Sequence, residues 1–288
     1  PKLAVAAAVP YIMGANIGTS ITNTIVSLGH IVNKEEFKRA FSASVVHDFF
    51  NILAVIVIFP LELAFGIISK FAMTLSTVLV GGGGGTFTSP VKLITKPTVK
   101  WIENLFQQQS VIEPNVFLLI TALAFLFFSL RNLTKLIKSL VMFRLQAFFD
   151  THIFKTTIRA VLFGALITIL VQSSSITTSL VIPLAGAGIL SLRQIFPYTL
   201  GANIGTTITS LLASMVSGTI APLAVALSHL SFNILGISLL YPIKFVREIP
   251  IRLAEWFSNL ATQNKIYPLL YILIVFFLIP LSLISLVR

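Results

Sequence analysis

The segment PYIMGANIGTSITNTI at residues 10–25 returns as PYTLGANIGTTITSLL at residues 197–212. A second pair follows in the same order, HDFFNILAVIVIFP at 47–60 and HLSFNILGISLLYP at 229–242. Two matches in the same order are not coincidence, so the chain must fold as two related halves. Apolar runs at 116–130, 158–171, 176–190 and 268–287 are too many for one buried core. The chain is 56% hydrophobic and only 10% charged, where a soluble domain carries about a quarter charged residues. The expected class is an all-α polytopic membrane protein. The absence of cysteine excludes disulfides and thiolate metal sites. A net charge of +11 would suit nucleic acid, but the charges lie between greasy runs, where they set orientation.

About 20 apolar residues span a bilayer as helix. That length places spans near 3–29, 39–65, 115–131, 195–217, 219–245 and 266–287. Residues 158–190 are different, because Gln172, Ser173, Ser174 and Ser175 split an apolar run. Each arm, at about 1.5 Å per residue, reaches roughly 20 Å, short of the ~30 Å hydrocarbon core. A re-entrant hairpin with the polar knot at its tip fits, since irregular backbone at that depth must face protein or a watery cavity. Residues 67–80 and 136–154 read as amphipathic surface helices. The glycine run 81–85 lacks the Lys and Ser/Thr of a phosphate loop and reads as a flexible linker.

Most Lys and Arg fall at 31–39, 131–159, 193 and 244–265, the expected cytoplasmic side. The 66–114 connection is then external, and the sequon at Asn132 is internal and unused. Glu62, beside Pro60, reads as interfacial. With three crossings and a returning hairpin between the copies, the two halves enter the membrane from opposite sides. Inverted-topology repeats with broken transmembrane helices are the mark of secondary transporters. The expected division is 1–80 for the first repeat, its N-terminal hairpin missing, and 81–114 for the external linker. Residues 115–157 are a span plus an interfacial helix. The second repeat is 158–245, and 246–288 an interfacial segment and final span.

In GANIGT, Gly14 and Gly18, like Gly201 and Gly205, would let the backbone open towards a ligand; close helix packing through small residues is the alternative. Asn16, Thr19, Ser20 and Asn23 are spaced for one helical face, repeated by Asn203, Thr206, Thr207 and Ser210. Two uncharged, oxygen-rich faces suggest an ion and substrate cavity. At the knot, a helix starting near Ser175 and Ile176 would expose N–H groups and a partial positive charge, which suits an anion. Serine hydroxyls add donors. Carbonyls, the Gln172 oxygen and threonine hydroxyls suit a hard cation such as Na⁺. No Lys or Arg lies in these stretches, so co-bound cations must balance the anion and thereby couple the two fluxes. His47, Asp48, Asn51, His229 and Asn233 are polar groups inside spans, candidates by position. Leu230 stands where the second half would repeat Asp48, so any role of Asp48 is asymmetric.

QSSS at 172–175, GANIGT, the Thr-Asn-Thr run at 22–24 and SASVVHDFFN at 42–51 together resemble the type II sodium-phosphate cotransporter family, with a bacterial member the expected source. The resemblance implies sodium-coupled symport of inorganic phosphate across the plasma membrane, with no enzymatic step and no organic cofactor. It implies substrate contacts at Gln172, Ser173, Ser174, Ser175, Asn16 and Asn203. Sodium is implied at Gln172, Ser174, Thr19, Ser20, Thr206 and Thr207. The family carries a QSS motif in each repeat, and only the second stands in this sequence. A symporter of another oxyanion or a dicarboxylate is the alternative. A membrane scaffold, a channel or an intramembrane enzyme is disfavoured, because the serines lie in no Gly-x-Ser-x-Gly elbow and the histidines occupy equivalent repeat positions. The extensive greasy surface permits a homodimer.

Overall fold

The computed structural model describes residues 2–81, 153–217 and 219–278, with single positions between 96 and 124 and residue 281. The 115–131 span, the 136–154 helix, the 82–95 part of the linker and the Asn132 sequon lie outside them, apart from those single positions. Every described element is helical: α1 Lys2–Gly18, α2 Ile21–Leu28, α3 Lys34–Phe65, α4 Ile67–Gly81, α5 Thr157–Val171, α6 Ser174–Ser179, α7 Val181–Gly186, α8 Leu192–Ser217, α9 Ile220–Leu240, α10 Lys244–Gln263 and α11 Ile266–Leu273. A π-turn, Ile274–Leu278, continues α11.

Among the described residues, α3 and α9 are long and apolar enough to cross a membrane, whereas α4, α5 and α11 are shorter apolar helices. The exterior is greasy. Along α5, Ile158, Leu162, Leu166 and Leu170 recur every fourth residue and are all exposed, while Ala160, Ala165 and Thr168 are buried. Large apolar groups outside and Asn, Ser, Thr, His and Asp inside invert the soluble pattern, which lipid as solvent explains. Helix α4 follows the same rule in part. It buries Ile68, Ala72 and Ser76 and shows Phe71, Val78 and Leu79 outward together with Lys70, Thr74 and Thr77, so its outer face is mixed.

Local chemistry sets the helix ends. Asn33 caps α3 by accepting from the N–H groups of Glu35 and Glu36, whose carboxylates suit the positive helix start. That helix ends on Gly66 in the left-handed region, at φ 60°. Glu62 is buried within the protein, and its two oxygens accept from the N–H groups of Ile68 (2.7 Å) and Ser69 (3.1 Å), which open α4. The chain folds back at Gly66, and the carboxylate satisfies donors that would otherwise be orphaned.

The expected 3–29 span is two helices. At the break, Thr19 Oγ1 donates to the Asn16 carbonyl oxygen and Ser20 Oγ to that of Ile17, competing for the last acceptors of α1. The second copy carries the same hydroxyl habit yet runs unbroken through α8, because α5 splints it. A Cβ added to Gly201 would sit 2.0 Å from the Val161 carbonyl oxygen, and one on Gly205 2.6 Å from that of Ala165. Gly164 meets the Tyr198 carbonyl oxygen in the same way. In the second copy the glycines therefore serve close packing, not backbone opening. Around Gly14 and Gly18 a Cβ would meet nothing within 4 Å.

Expected cytoplasmic charges share one end. Helix α10 packs on α3, Arg39 Nε donates to the Gly186 carbonyl oxygen at the end of α7, and Arg193 pairs with Glu248 at 2.7 Å. Arg193 holds the Glu248 carboxyl below the usual carboxylate range. Being surface-exposed, the pair contributes little to stability.

Candidate functional site

Three polar zones lie inside the bundle. The first joins the two sequence copies crosswise. Asn16 Nδ2 donates to Asn233 Oδ1 (2.9 Å) and to Asn51 Oδ1 (3.2 Å). Asn203 Nδ2 donates to Asn51 Oδ1 (3.0 Å), and Asn51 Nδ2 to the Asn16 carbonyl oxygen (3.0 Å). His47 Nε2 lies 2.6 Å from Asn203 Oδ1, and His229 Nε2 3.3 Å from Asn16 Oδ1. Both contacts fit a neutral ring with its proton on Nε2. That nitrogen cannot also accept from Asn51 Nδ2, which approaches His47 at 3.3 Å, and the shorter contact decides the tautomer. Thus Asn16 of the first copy is held by His229 and Asn233 of the second, and Asn203 by His47 and Asn51 of the first. All four asparagines are buried.

The second zone is the serine knot. Helix α5 stops at Gln172, whose φ of 54° makes it the one non-glycine residue in the left-handed region among the described residues. That conformation costs a residue with a side chain roughly 1–2 kcal/mol, and such strain gathers at functional sites. Ser173 is extended and caps α6, its Oγ accepting from the Ile176 N–H at 3.3 Å. This corrects the expectation of a free helix start there, since a serine hydroxyl occupies one of the amides. The knot docks on the first copy: Ser175 Oγ donates to the Thr19 carbonyl oxygen (3.1 Å) and Ser179 Oγ to Asn23 Oδ1 (3.0 Å), while the single Thr178 hydroxyl proton is shared between Asn23 Oδ1 (2.9 Å) and the Ser174 carbonyl oxygen (2.7 Å). From α8, Tyr198 Oη donates to the Thr177 carbonyl oxygen at 3.0 Å. Gln172 is exposed and Ser173, Ser174 and Ser175 are half-buried, so these polar groups border open space.

Asp48 defines the third zone. It is fully buried, its Oδ2 accepts from Tyr271 Oη at 2.7 Å, and its Oδ1 has no hydrogen-bond partner among the described residues. Ser20 lies beside the carboxylate, though its hydrogen bond goes to Ile17. Thr24 Oγ1 is likewise buried and unpartnered. Ser44 Oγ reaches Ser27 Oγ at 3.5 Å. With Ser27 abreast of Ser44 and Ser20 beside Asp48, α2 and α3 run antiparallel, and Thr24 lies between the two serines on α2, one turn from each.

Of the expected residues, Ser175, Thr19 and Asn23 come together, as do Asn16, Asn51, Asn203, His47, His229 and Asn233. Thr206, Thr207 and Ser210 turn their hydroxyls to carbonyl oxygens of their own helix. Tyr271, Thr24, Thr178 and Tyr198 were missed. Thr24 could have been found from its place in the Thr-Asn-Thr run, one turn beyond Ser20. Tyr271 lies outside both repeats and gave no signal.

A model of the Na⁺/Pi-cotransporter family matches residues 125–279. Sodium-dependent phosphate transport protein 2B of Bos taurus is 34% identical, the similarity covering 97% of this chain and 53% of that protein. The Homo sapiens protein 2B is 33% identical with the same coverage. Protein 2A of Ovis aries is 32% identical over 96% of this chain and 55% of its own length. The chain spans about half the length of the curated relatives it matches. No solved structure matches it. The family match takes in the serine knot, α8 and α9, and relatives align along nearly the whole sequence, so the chain belongs to the Na⁺/Pi-cotransporter family.

Proposed function

We propose that the chain is a sodium-coupled symporter of inorganic phosphate that works by alternating access in the plasma membrane, the inner membrane in a bacterial source. The observation that carries this reading is the docking of the serine knot of one copy on Thr19 and Asn23 of the other. A polar seam between two related halves is where a transporter opens and closes around its substrate. In this reading α5–α7 form a re-entrant hairpin with the break at Gln172 and Ser173 as its tip. The halves are inverted repeats.

Phosphate is held by Gln172, Ser173, Ser174 and Ser175 with Asn16 and Asn203 as the facing wall. Hydroxyl and amide donors match its oxygens without neutralising its charge. Sodium takes oxygens of Gln172, Ser174, Thr19, Ser20, Thr206 and Thr207, and Asp48 supplies one asymmetric cation site. A buried carboxylate without a basic partner is neutralised by a proton or by a cation; in this reading sodium takes that place, and several sodium ions balance a divalent anion. The greasy exterior leaves room for a homodimer.

Uptake of radiolabelled phosphate into proteoliposomes under a sodium or a potassium gradient tests the reading. Sodium should drive uptake and potassium should not. Ser174→Ala should abolish it while leaving size-exclusion and melting profiles intact. Equal uptake in potassium, or competition by succinate or sulfate as strong as by phosphate, would overturn the assignment.

A further inference from the structure

We propose that Tyr271, on the C-terminal helix outside both repeats, is a positioning residue for the cation site at Asp48; this rests on the proposed reading of Asp48 as a sodium ligand. The geometry gives the tyrosine a defined task. Its hydroxyl donates to Oδ2 alone, at 2.7 Å. Oδ1 is left unpartnered, on a carboxylate that Ser20 flanks. A donor on Oδ2 restrains the carboxylate and so biases the direction in which the other oxygen points. A tyrosine donor is also neutral. Lysine or arginine at this place would cancel the charge and remove the need for a cation, whereas the phenol orients the carboxylate and leaves its charge available.

The ring is held independently of the hydroxyl. Its centroid lies 5.0 Å from that of Phe257 and 5.8 Å, edge-on, from that of Phe276. Phe257 in turn meets Phe41 of α3 at 5.4 Å, on the helix that carries Asp48. An aromatic chain thus ties α11 to α3 and sets the height of the phenol. The π-turn Ile274–Leu278 begins three residues after Tyr271, and such turns are frequent at functional sites. The second half has Leu230 in place of Asp48, so this accessory exists on one side of the pseudo-symmetry only.

The experiment compares the parent chain, Tyr271→Phe and Asp48→Asn by sodium activation of phosphate uptake in proteoliposomes and by sodium-induced thermal shift of the purified proteins without phosphate. Phenylalanine keeps the stacking and removes only the hydroxyl. Loss of one hydrogen bond to a charged group should raise the half-saturating sodium concentration roughly tenfold in both assays. At saturating sodium, maximal uptake and half-saturating phosphate should stay within about twofold of the parent. A Tyr271→Phe protein with parental sodium dependence, or with maximal uptake lowered at every sodium concentration and half-saturation unchanged, would sink the positioning role while Asp48→Asn still shows altered sodium dependence. Parental sodium dependence in Asp48→Asn would instead remove the cation reading beneath it.

Discussion

Replacing Gly201 with alanine puts a methyl carbon 2.0 Å from the Val161 carbonyl oxygen, and only 2.7 Å from that carbonyl carbon. Carbon–oxygen contacts tolerate approach to about 3.3 Å, so α5 and α8 must part by roughly 1.3 Å. Neither helix can rotate out of the way, because Gly164 and Gly205 bring the same two backbones together on either side. The atoms in conflict are main chain, which cannot change rotamer, so the cost lies near the upper end of the usual 1–3 kcal/mol for overpacking. In a chain of this size that lowers the melting temperature by about 5 °C or more. Gly14 is the equivalent residue of the first copy, and a methyl there meets nothing within 4 Å. In this 288-residue chain, Gly14→Ala should leave stability unchanged or raise it by about 0.5–1 kcal/mol through helix propensity. Thermal unfolding in detergent, followed by size-exclusion chromatography, measures both. If the two variants melt alike, or Gly201→Ala melts with the parent, the splint between α5 and α8 is wrong.

Two further outcomes follow from helix ends. Gln172→Gly removes a left-handed residue worth roughly 1–2 kcal/mol of strain, so the variant should melt higher than the parent while sodium-driven phosphate uptake falls at least about tenfold; lowered stability with normal uptake contradicts the assignment. Glu62→Ala strips the cap from the Ile68 and Ser69 amides and should cost about 1–2 kcal/mol, with faster hydrogen exchange at the start of α4. Unchanged exchange there would mean the carboxylate is dispensable.

Much of this architecture was legible in the letters. The break at Gln172 and Ser173 was visible because polar groups interrupting an apolar run must find partners. The repeated HxxxN and GANIGT words named every side chain of the central network, although not who pairs with whom. What was hidden depends on neighbours distant in sequence. Identical GANIGT words give a broken path at Thr19 and Ser20 and a straight one at Thr206 and Thr207, because only the second lies against α5. The capping task of Glu62 was not legible beside Pro60, since nothing local announces that the chain doubles back at Gly66. Tyr271 is one of two tyrosines in a greasy helix, and its partner lies far upstream.

The exchanged asparagine and histidine contacts constrain how the molecule can move. Each half completes the other's hydrogen bonding, so sliding the halves apart would strand several buried amides, each at about 1–3 kcal/mol. If the proposed alternating access holds, a motion that spares them would pivot about this point, as a seesaw does on its fulcrum. The serine knot touches the first copy elsewhere, through the Thr19 carbonyl and the Asn23 amide, and under that motion its contacts would be the ones exchanged.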